Sequence, residues 1–172
     1  MNLLDYLPIV PDFPQAGISF RDISPLLANP TAFTYAIEKM HTLSKQMEFT
    51  HILGIESRGF IFASALAMLA NKGIILARKP NKLPQAVYSQ SYGLEYGTDT
   101  LEMQKNILPK DAQVLLIDDV LATGGTMIAA GNLVKQANCQ IAGALALLEL
   151  KNLNGQQRLQ SEGIHSHCIL SI

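Results

Sequence analysis

A chain of 172 residues has the length of one ordinary domain with room for a sizeable core. With 48% apolar and 16% charged residues, it is richer in core material and poorer in charge than an average globular domain. Thirteen basic against fourteen acidic residues leave a formal net charge of −1, which argues against nucleic-acid binding through bulk electrostatics but allows a local basic site. The longest apolar run, residues 61–70, is about half of what a membrane span requires. The opening MNLLDYLPIV lacks a basic stretch and carries Asp5, so no secretory signal is expected. Cys139 and Cys168 form neither a disulfide framework nor a metal-ligand spacing. These features predict a cytoplasmic protein with no nucleic-acid or membrane partner, built as a single domain over residues 1–172.

In chain order, PDFPQAGISFRDISPLL reads as loop, because Pro11, Pro14, Gly17 and Pro25 interrupt any regular element. Its Phe13, Ile18, Phe20 and Ile23 predict that it packs rather than dangles. Asn29 followed by Pro30 is a helix start, and Phe33, Ile37, Met40 and Met47 fall near one face of a helix predicted to end around residue 49. Short apolar runs then alternate with helices: strand 51–55, helix 60–70, strand 73–77, a polar stretch from 80 to about 100, strand 114–117, helix 126–137, strand 141–148, and a short helix before a last strand at 168–172. That alternation predicts an α/β fold with a mainly parallel sheet covered on both faces. Such sheets bind ligands beyond the carboxyl ends of their strands, so the residues following each strand are the candidates for chemistry.

The strongest of these segments is VLLIDDVLATGGT, residues 114–126. Asp118 and Asp119 close a buried strand, and two adjacent carboxylates there need solvent, a cation or hydroxyl donors. Ala122, Thr123, Gly124, Gly125 and Thr126 form a loop with almost no side-chain bulk, whose N–H groups and hydroxyls sit at a helix N-terminus, a ready anion site. A diol reader beside a phosphate cradle suits a ribose 5-phosphate. The alternative is a plain strand-to-helix turn with solvated aspartates. The loop has no lysine before its threonine and the chain has no GxGxxG, so neither usual nucleotide motif competes. After the strand at 51–55, GIESRG presents Arg58, a guanidinium suited to bidentate phosphate contacts. After the strand at 73–77, Arg78, Lys79 and Lys82 place three cations in five residues, either a solvated basic turn or an anion clamp.

VLLIDDVLATGGT resembles the phosphoribosyl-diphosphate (PRPP) motif of the type I phosphoribosyltransferases. With SRGF, RKxxKLP, YxLEYG and FPxxGIxFRDISPLL, the resemblance extends in order over roughly residues 8–160, and is nearest to the branch that acts on adenine. It implies the type I phosphoribosyltransferase fold: a twisted, mainly parallel sheet with helices on both faces and a small amino-terminal hood, roughly residues 8–28. It also implies Mg2+-dependent transfer of the 5-phosphoribosyl group from PRPP to N9 of adenine, giving AMP and pyrophosphate in purine salvage, by a protein expected to be a homodimer. By the same resemblance, Asp118 and Asp119 hold the ribose hydroxyls and 122–126 the 5-phosphate. Arg58 belongs to the pyrophosphate loop, and Arg78, Lys79 and Lys82 clamp the leaving pyrophosphate, within one subunit or across a dimer. Arg21 frames the purine beside Phe20 or Ile23. Magnesium is held mainly through PRPP and water rather than by protein ligands.

Residues 85–103 are polar and glycine-flanked, which predicts a lid that excludes water from a transition state of oxocarbenium character. Glu95 is the expected proton-transfer group, with Glu102 as the alternative, and Tyr96 orients or covers the substrates. A hairpin with ordinary surface tyrosines is the plainer reading of the same stretch. His165 and His167 share a strand face but have too few companions for a zinc site. Two other functions fit the motifs less well: a sister enzyme for another base, and a PRPP-sensing regulator, for whose DNA-binding module the chain has no spare segment.

Overall fold

The computed structural model describes residues 1–93 and 97–172, in two compact units, 1–39 and 40–172. In the first, a short 3-10 turn (Leu3–Tyr6) is capped by the Asn2 side chain, which accepts a hydrogen bond from the Leu4 N–H. Strands β1 (Ile9–Val10) and β2 (Phe20–Arg21) pair antiparallel, with Ile9 opposite Arg21 and Val10 opposite Phe20. The proline-rich stretch between them contains a cis Phe13–Pro14 bond, and the Phe13 and Phe20 rings meet edge to face at 5.0 Å. A helix the sequence pattern did not predict, α1 (Ser24–Ala28), follows. Pro25 is tolerated there because it lies in the first turn, where no N–H is needed, and the Asp22 carboxylate accepts from the Ser24 N–H at 2.9 Å.

Helix α2 (Pro30–Ser44) starts where Asn29–Pro30 predicts, with the Asn29 side-chain oxygen accepting the Ala32 N–H at 2.9 Å. It stops five residues short of the predicted end. There the Ser44 hydroxyl donates to the His41 carbonyl at 2.8 Å, competing with the helical ladder.

The second unit is built on a seven-stranded sheet. Its strands are β3 (His51–Ile55), β4 (Gly73–Arg78), β5 (Val87–Gly93), β6 (Thr98–Gln104), β7 (Gln113–Leu121), β8 (Gln140–Glu149) and β9 (Ser166–Ser171), in the spatial order β5-β6-β4-β3-β7-β8-β9. The run from β4 to β9 is parallel, and β6 joins it antiparallel through Ala77–Met103 and Arg78–Glu102. Three helices follow strands: α3 (Gly59–Ala70), α4 (Gly125–Gln136) and α5 (Gly155–Ser161). Alternation along the strands assigns the faces. Leu53, Ile55, Val114, Leu116, Ala144 and Ala146 share one cluster with Met127, Leu133 and Val134 of α4. On the opposite face α3 lies over Gly54, with Ala63 and Phe60 against it. Each fully buried Leu or Phe in these layers contributes about 1.5–3 kcal/mol.

Two elements differ from the expected pattern in ways that matter for the site. Strand β7 continues through Asp118 and Asp119 to Leu121 instead of ending at the aspartates. The stretch in which a lid is expected forms two antiparallel strands, from Val87 opposite Gln104 to Gly93 opposite Thr98, as the plainer hairpin reading had it.

Candidate active site

The carboxyl ends of β3, β4 and β7 lie side by side, because Gly54 pairs with both Leu76 and Ile117. Beyond β3 come a cis Glu56–Ser57 peptide, then Arg58, then Gly59 opening α3. A Cβ at Gly59 would lie 2.9 Å from an Asp118 carboxylate oxygen, so only glycine lets α3 begin against the end of β7. The Arg58 Nε stands 2.9 Å from Asp119 Oδ2. Asp119 is buried, with 4% of its surface exposed, and of the three partners open to the adjacent aspartates (solvent, a cation or hydroxyl donors) Arg58 supplies the cation for Asp119. Burial raises the Asp119 carboxyl above the usual range against the pull of Arg58. Asp118 is raised well above that range, first by burial and then by the charge of Asp119. One of its oxygens accepts the Asp119 N–H at 2.9 Å.

Asp118 borders a cavity of about 60 Å³ shared with Val120, Ala122, Thr123, Gly124 and Thr126. The floor of that cavity is the start of α4. Gly124, at φ +81°, turns the chain into the helix, and no side chain caps it. The first-turn N–H groups of α4 are therefore the donors that an anion in this cavity would meet. The loop is braced from behind by a segment that sequence reasoning missed. Gly155 sits so close that a Cβ there would collide with the Ala122 carbonyl oxygen, and a Cβ at Gly124 would lie 3.0 Å from the Gly155 oxygen. Arg158 of α5 donates to the Thr123 carbonyl at 3.4 Å. Only the glycine in LNG, beside the strand end at 149, could have signalled this contact.

The basic loop after β4 is organised by Glu56, which the sequence reading passed over. The Arg78 Nε stands 3.4 Å from its Oε2, the Lys82 ammonium pairs with its Oε1, and the Lys79 N–H donates to Oε2 at 2.8 Å. Burial pushes the Glu56 carboxyl up, but the bonds from Lys82 and Lys79 and the Arg78 charge outweigh it and hold it below the usual range. Lys79 turns the other way: its ammonium donates to Asp99 on β6 and, at 3.4 Å, to the Tyr92 hydroxyl on β5. Glu102 accepts the Asn81 N–H at 3.0 Å.

The structure thus brings Arg58 to Asp119, Arg78 and Lys82 to Glu56, and the 122–126 loop to Asp118. Arg21 belongs to the amino-terminal unit, where its guanidinium donates to the Leu7 carbonyl at 2.8 Å. Glu95 and Tyr96 lie outside the described residues. Among the described residues, no three His, Cys, Asp or Glu side chains gather as metal ligands, and no helix is long and apolar enough to cross a membrane. Both cysteines are free thiols, and burial together with the Glu149 charge pushes Cys168 up to about 12, which leaves it unreactive.

Comparison with known proteins places this geometry. The family model described as phosphoribosyl transferase domain matches residues 22–168. An adenine phosphoribosyltransferase of Polynucleobacter necessarius subsp. necessarius (strain STIR1) is 61% identical over 170 residues, covering 99% of both chains. The crystal structure of adenine phosphoribosyltransferase from Thermoanaerobacter pseudethanolicus matches with a TM-score of 0.95 at 36% identity, covering 99% of this chain and 100% of that one. The Saccharomyces cerevisiae enzyme, complexed with D-2,5-dideoxy-2,5-imino-altritol 1,6-bisphosphate and adenine, matches with a TM-score of 0.90 at 34% identity, covering 98% and 96%.

Proposed function

The chain belongs to the phosphoribosyl transferase family and stands with its adenine phosphoribosyltransferases, and we propose that it transfers the 5-phosphoribosyl group of PRPP to N9 of adenine, giving AMP and pyrophosphate. The observation that carries this reading is the end of β7, where Asp118 and Asp119 lead into an uncapped α4 N-terminus beside Arg58. The 5-phosphate takes the N–H groups and hydroxyls of 122–126, and the ribose hydroxyls take the two carboxylates. Arg58, Arg78, Lys79 and Lys82 surround the pyrophosphate.

Adenine N9 then forms the new bond to the anomeric carbon as the bond to the pyrophosphate oxygen breaks, and that bond's electron pair leaves with pyrophosphate. Preorganised cations stabilise the charge that builds there. Glu95 accepts the proton displaced from the imidazole ring. The engagement of Glu102 with the Asn81 N–H supports Glu95 over Glu102 in this role. Arg21 frames the purine within the hood, and Tyr96 covers the substrates. Magnesium, when bound, offsets charge on the leaving group. A hard cation of this kind would be held mainly by the diphosphate and water, with Asp118 and Asp119 left to the ribose hydroxyls.

Assembly as a homodimer accounts for apolar side chains that α3 and β4 leave exposed: Ile61, Met68 (86% exposed) and Leu69 on the helix, and Ile74 and Leu76 on the strand. Two free thiols suit the reducing cytoplasm.

The test is AMP formation from adenine, PRPP and magnesium. Turnover that disappears without PRPP supports the reading, whereas tight PRPP binding with no turnover on any base points to a sensor and overturns it. In Glu95→Gln, kcat should fall by about 10²–10⁴ with the KM for PRPP little changed. An equal loss in Glu102→Gln instead would reassign the proton.

A further inference from the structure

The two carboxylates that neutralise the basic loop are not equivalent. Glu56 is enclosed, its side chain 9% exposed, and it takes three donors, from Arg78, Lys82 and the Lys79 backbone. Taking any one of them away would leave part of a buried charge unpaired, which is expensive. Asp99 and Lys79 form an open pair, with 27% and 36% of their side chains exposed. An ion pair this open contributes little in itself, so exchanging its partner costs little.

Asp99 also has other partners ready. Its Oδ1 accepts the Thr100 N–H at 2.7 Å, and its Oδ2 accepts the Tyr92 hydroxyl at 3.3 Å. If the Lys79 ammonium left, both oxygens would keep a donor. Lys79, for its part, has three ammonium donors on a flexible stem and a backbone fixed by Glu56. The lysine can therefore swing without moving the loop that carries it.

We propose that Asp99 is a placeholder for the pyrophosphate group: in the empty site it holds the Lys79 ammonium against the β5–β6 hairpin, and it surrenders that ammonium to the diphosphate when substrate binds. The inference rests on the reading of Lys79 as a pyrophosphate ligand. Asp99 is then a positioning residue that acts only through Lys79. A negative group that competes with the ligand has a distinctive signature, because removing it tightens binding where ordinary structural damage would weaken it. The burial-opposed bonds that hold the Asp99 carboxyl below its usual range also keep it charged, and so competing, throughout the neutral range.

The test measures inhibition by pyrophosphate in the wild type, Asp99→Asn, Lys79→Ala and the double variant. Asp99→Asn should bind pyrophosphate about two- to fivefold more tightly, the scale of an exposed ion pair, with the KM for adenine unchanged. That gain should vanish in the Lys79→Ala background. Weaker or unchanged pyrophosphate binding in Asp99→Asn, while Lys79→Ala alone weakens it, would overturn the placeholder and leave Lys79 in place. If Lys79→Ala does not alter pyrophosphate binding, the pyrophosphate role of Lys79 fails and the placeholder with it. Tyr92→Phe gives a control of unchanged charge: it keeps the Asp99 carboxylate, so tightening comparable to Asp99→Asn there would also count against the proposal.

Discussion

The two ends of this site that we propose to bind anions are made from different materials. At the end of β7 the ligand-facing surface is backbone: a loop of small residues, an uncapped helix start, and a glycine behind it that nothing larger could replace. At the ends of β3 and β4 the surface is side chain, with Arg78, Lys79 and Lys82 held by Glu56 and Asp99. The backbone cradle has its dipoles in place before the ligand arrives. The cationic loop carries its charges on side chains, and Glu56 and Asp99 pair with them. A group that stays with the product can be held by the first device, whereas one that must leave suits the second, whose charges have somewhere to return.

The contrast can be broken most severely at the brace. Gly155→Ala pushes a methyl into the Ala122 carbonyl, and the strain of overpacking should cost about 1–3 kcal/mol of stability, read in a denaturant titration. Because the cradle itself moves, the KM for PRPP should rise at least about tenfold, as one lost charge-assisted contact already would. Unchanged stability and KM would show that the loop does not depend on α5.

A smaller effect is expected from Glu56→Gln, which leaves Arg78 and Lys82 mutually repelling. Pyrophosphate inhibition should weaken several-fold while ribose 5-phosphate binding stays as it was; a loss of both would mean that Glu56 supports the whole site. Asp118→Asn should act in opposite directions on stability and function. It removes a carboxylate that burial and Asp119 make costly to ionise, so the melting temperature should rise by about 2–4 °C at pH 7, worth about 1 kcal/mol in a chain this long. PRPP should bind less well, as a trade of stability for function requires.

The smallest effect is the pH response, and its sign differs between the two ends. A carboxyl raised in the folded state, such as Asp118, lowers stability as pH climbs from its ordinary 3.8 through the folded value. Acidification from pH 7 toward 5 should therefore narrow the gap between wild type and Asp118→Asn. A lowered carboxyl, such as Glu56, contributes stability that is full above its ordinary 4.5 and is lost as pH falls through the folded value. The gap between wild type and Glu56→Gln should thus stay constant from pH 7 to 5 and close only below about 4.5.

What could be read from the chain beforehand divides along the same line. Strands β3, β7 and β8 announce themselves as runs of Val, Ile, Leu and Ala because a central parallel strand is buried on both faces. The 118–126 segment is legible because the residues of the proposed ribose-phosphate site are consecutive there. The β5–β6 hairpin was legible only as the plainer alternative to a lid: VYSQSYG, at the edge of the sheet, and TDTLEMQ, between it and β4, are mostly polar and partly exposed, and they look like loop until their pairing is known. Glu56 was invisible for a related reason, since its partners come from a loop that lies beside it only because Ile55 pairs with Ala77. Gly155 reaches the cradle from beyond β8, again through tertiary contact alone.

The division of labour between the two ends is tested most directly by titrating ribose 5-phosphate and pyrophosphate separately against Thr126→Ala and Lys82→Ala. The cradle variant should lose affinity for ribose 5-phosphate and keep it for pyrophosphate, and the lysine variant should do the reverse. If each variant weakens both ligands equally, the two ends do not hold separate parts of PRPP, and the account of the site is wrong.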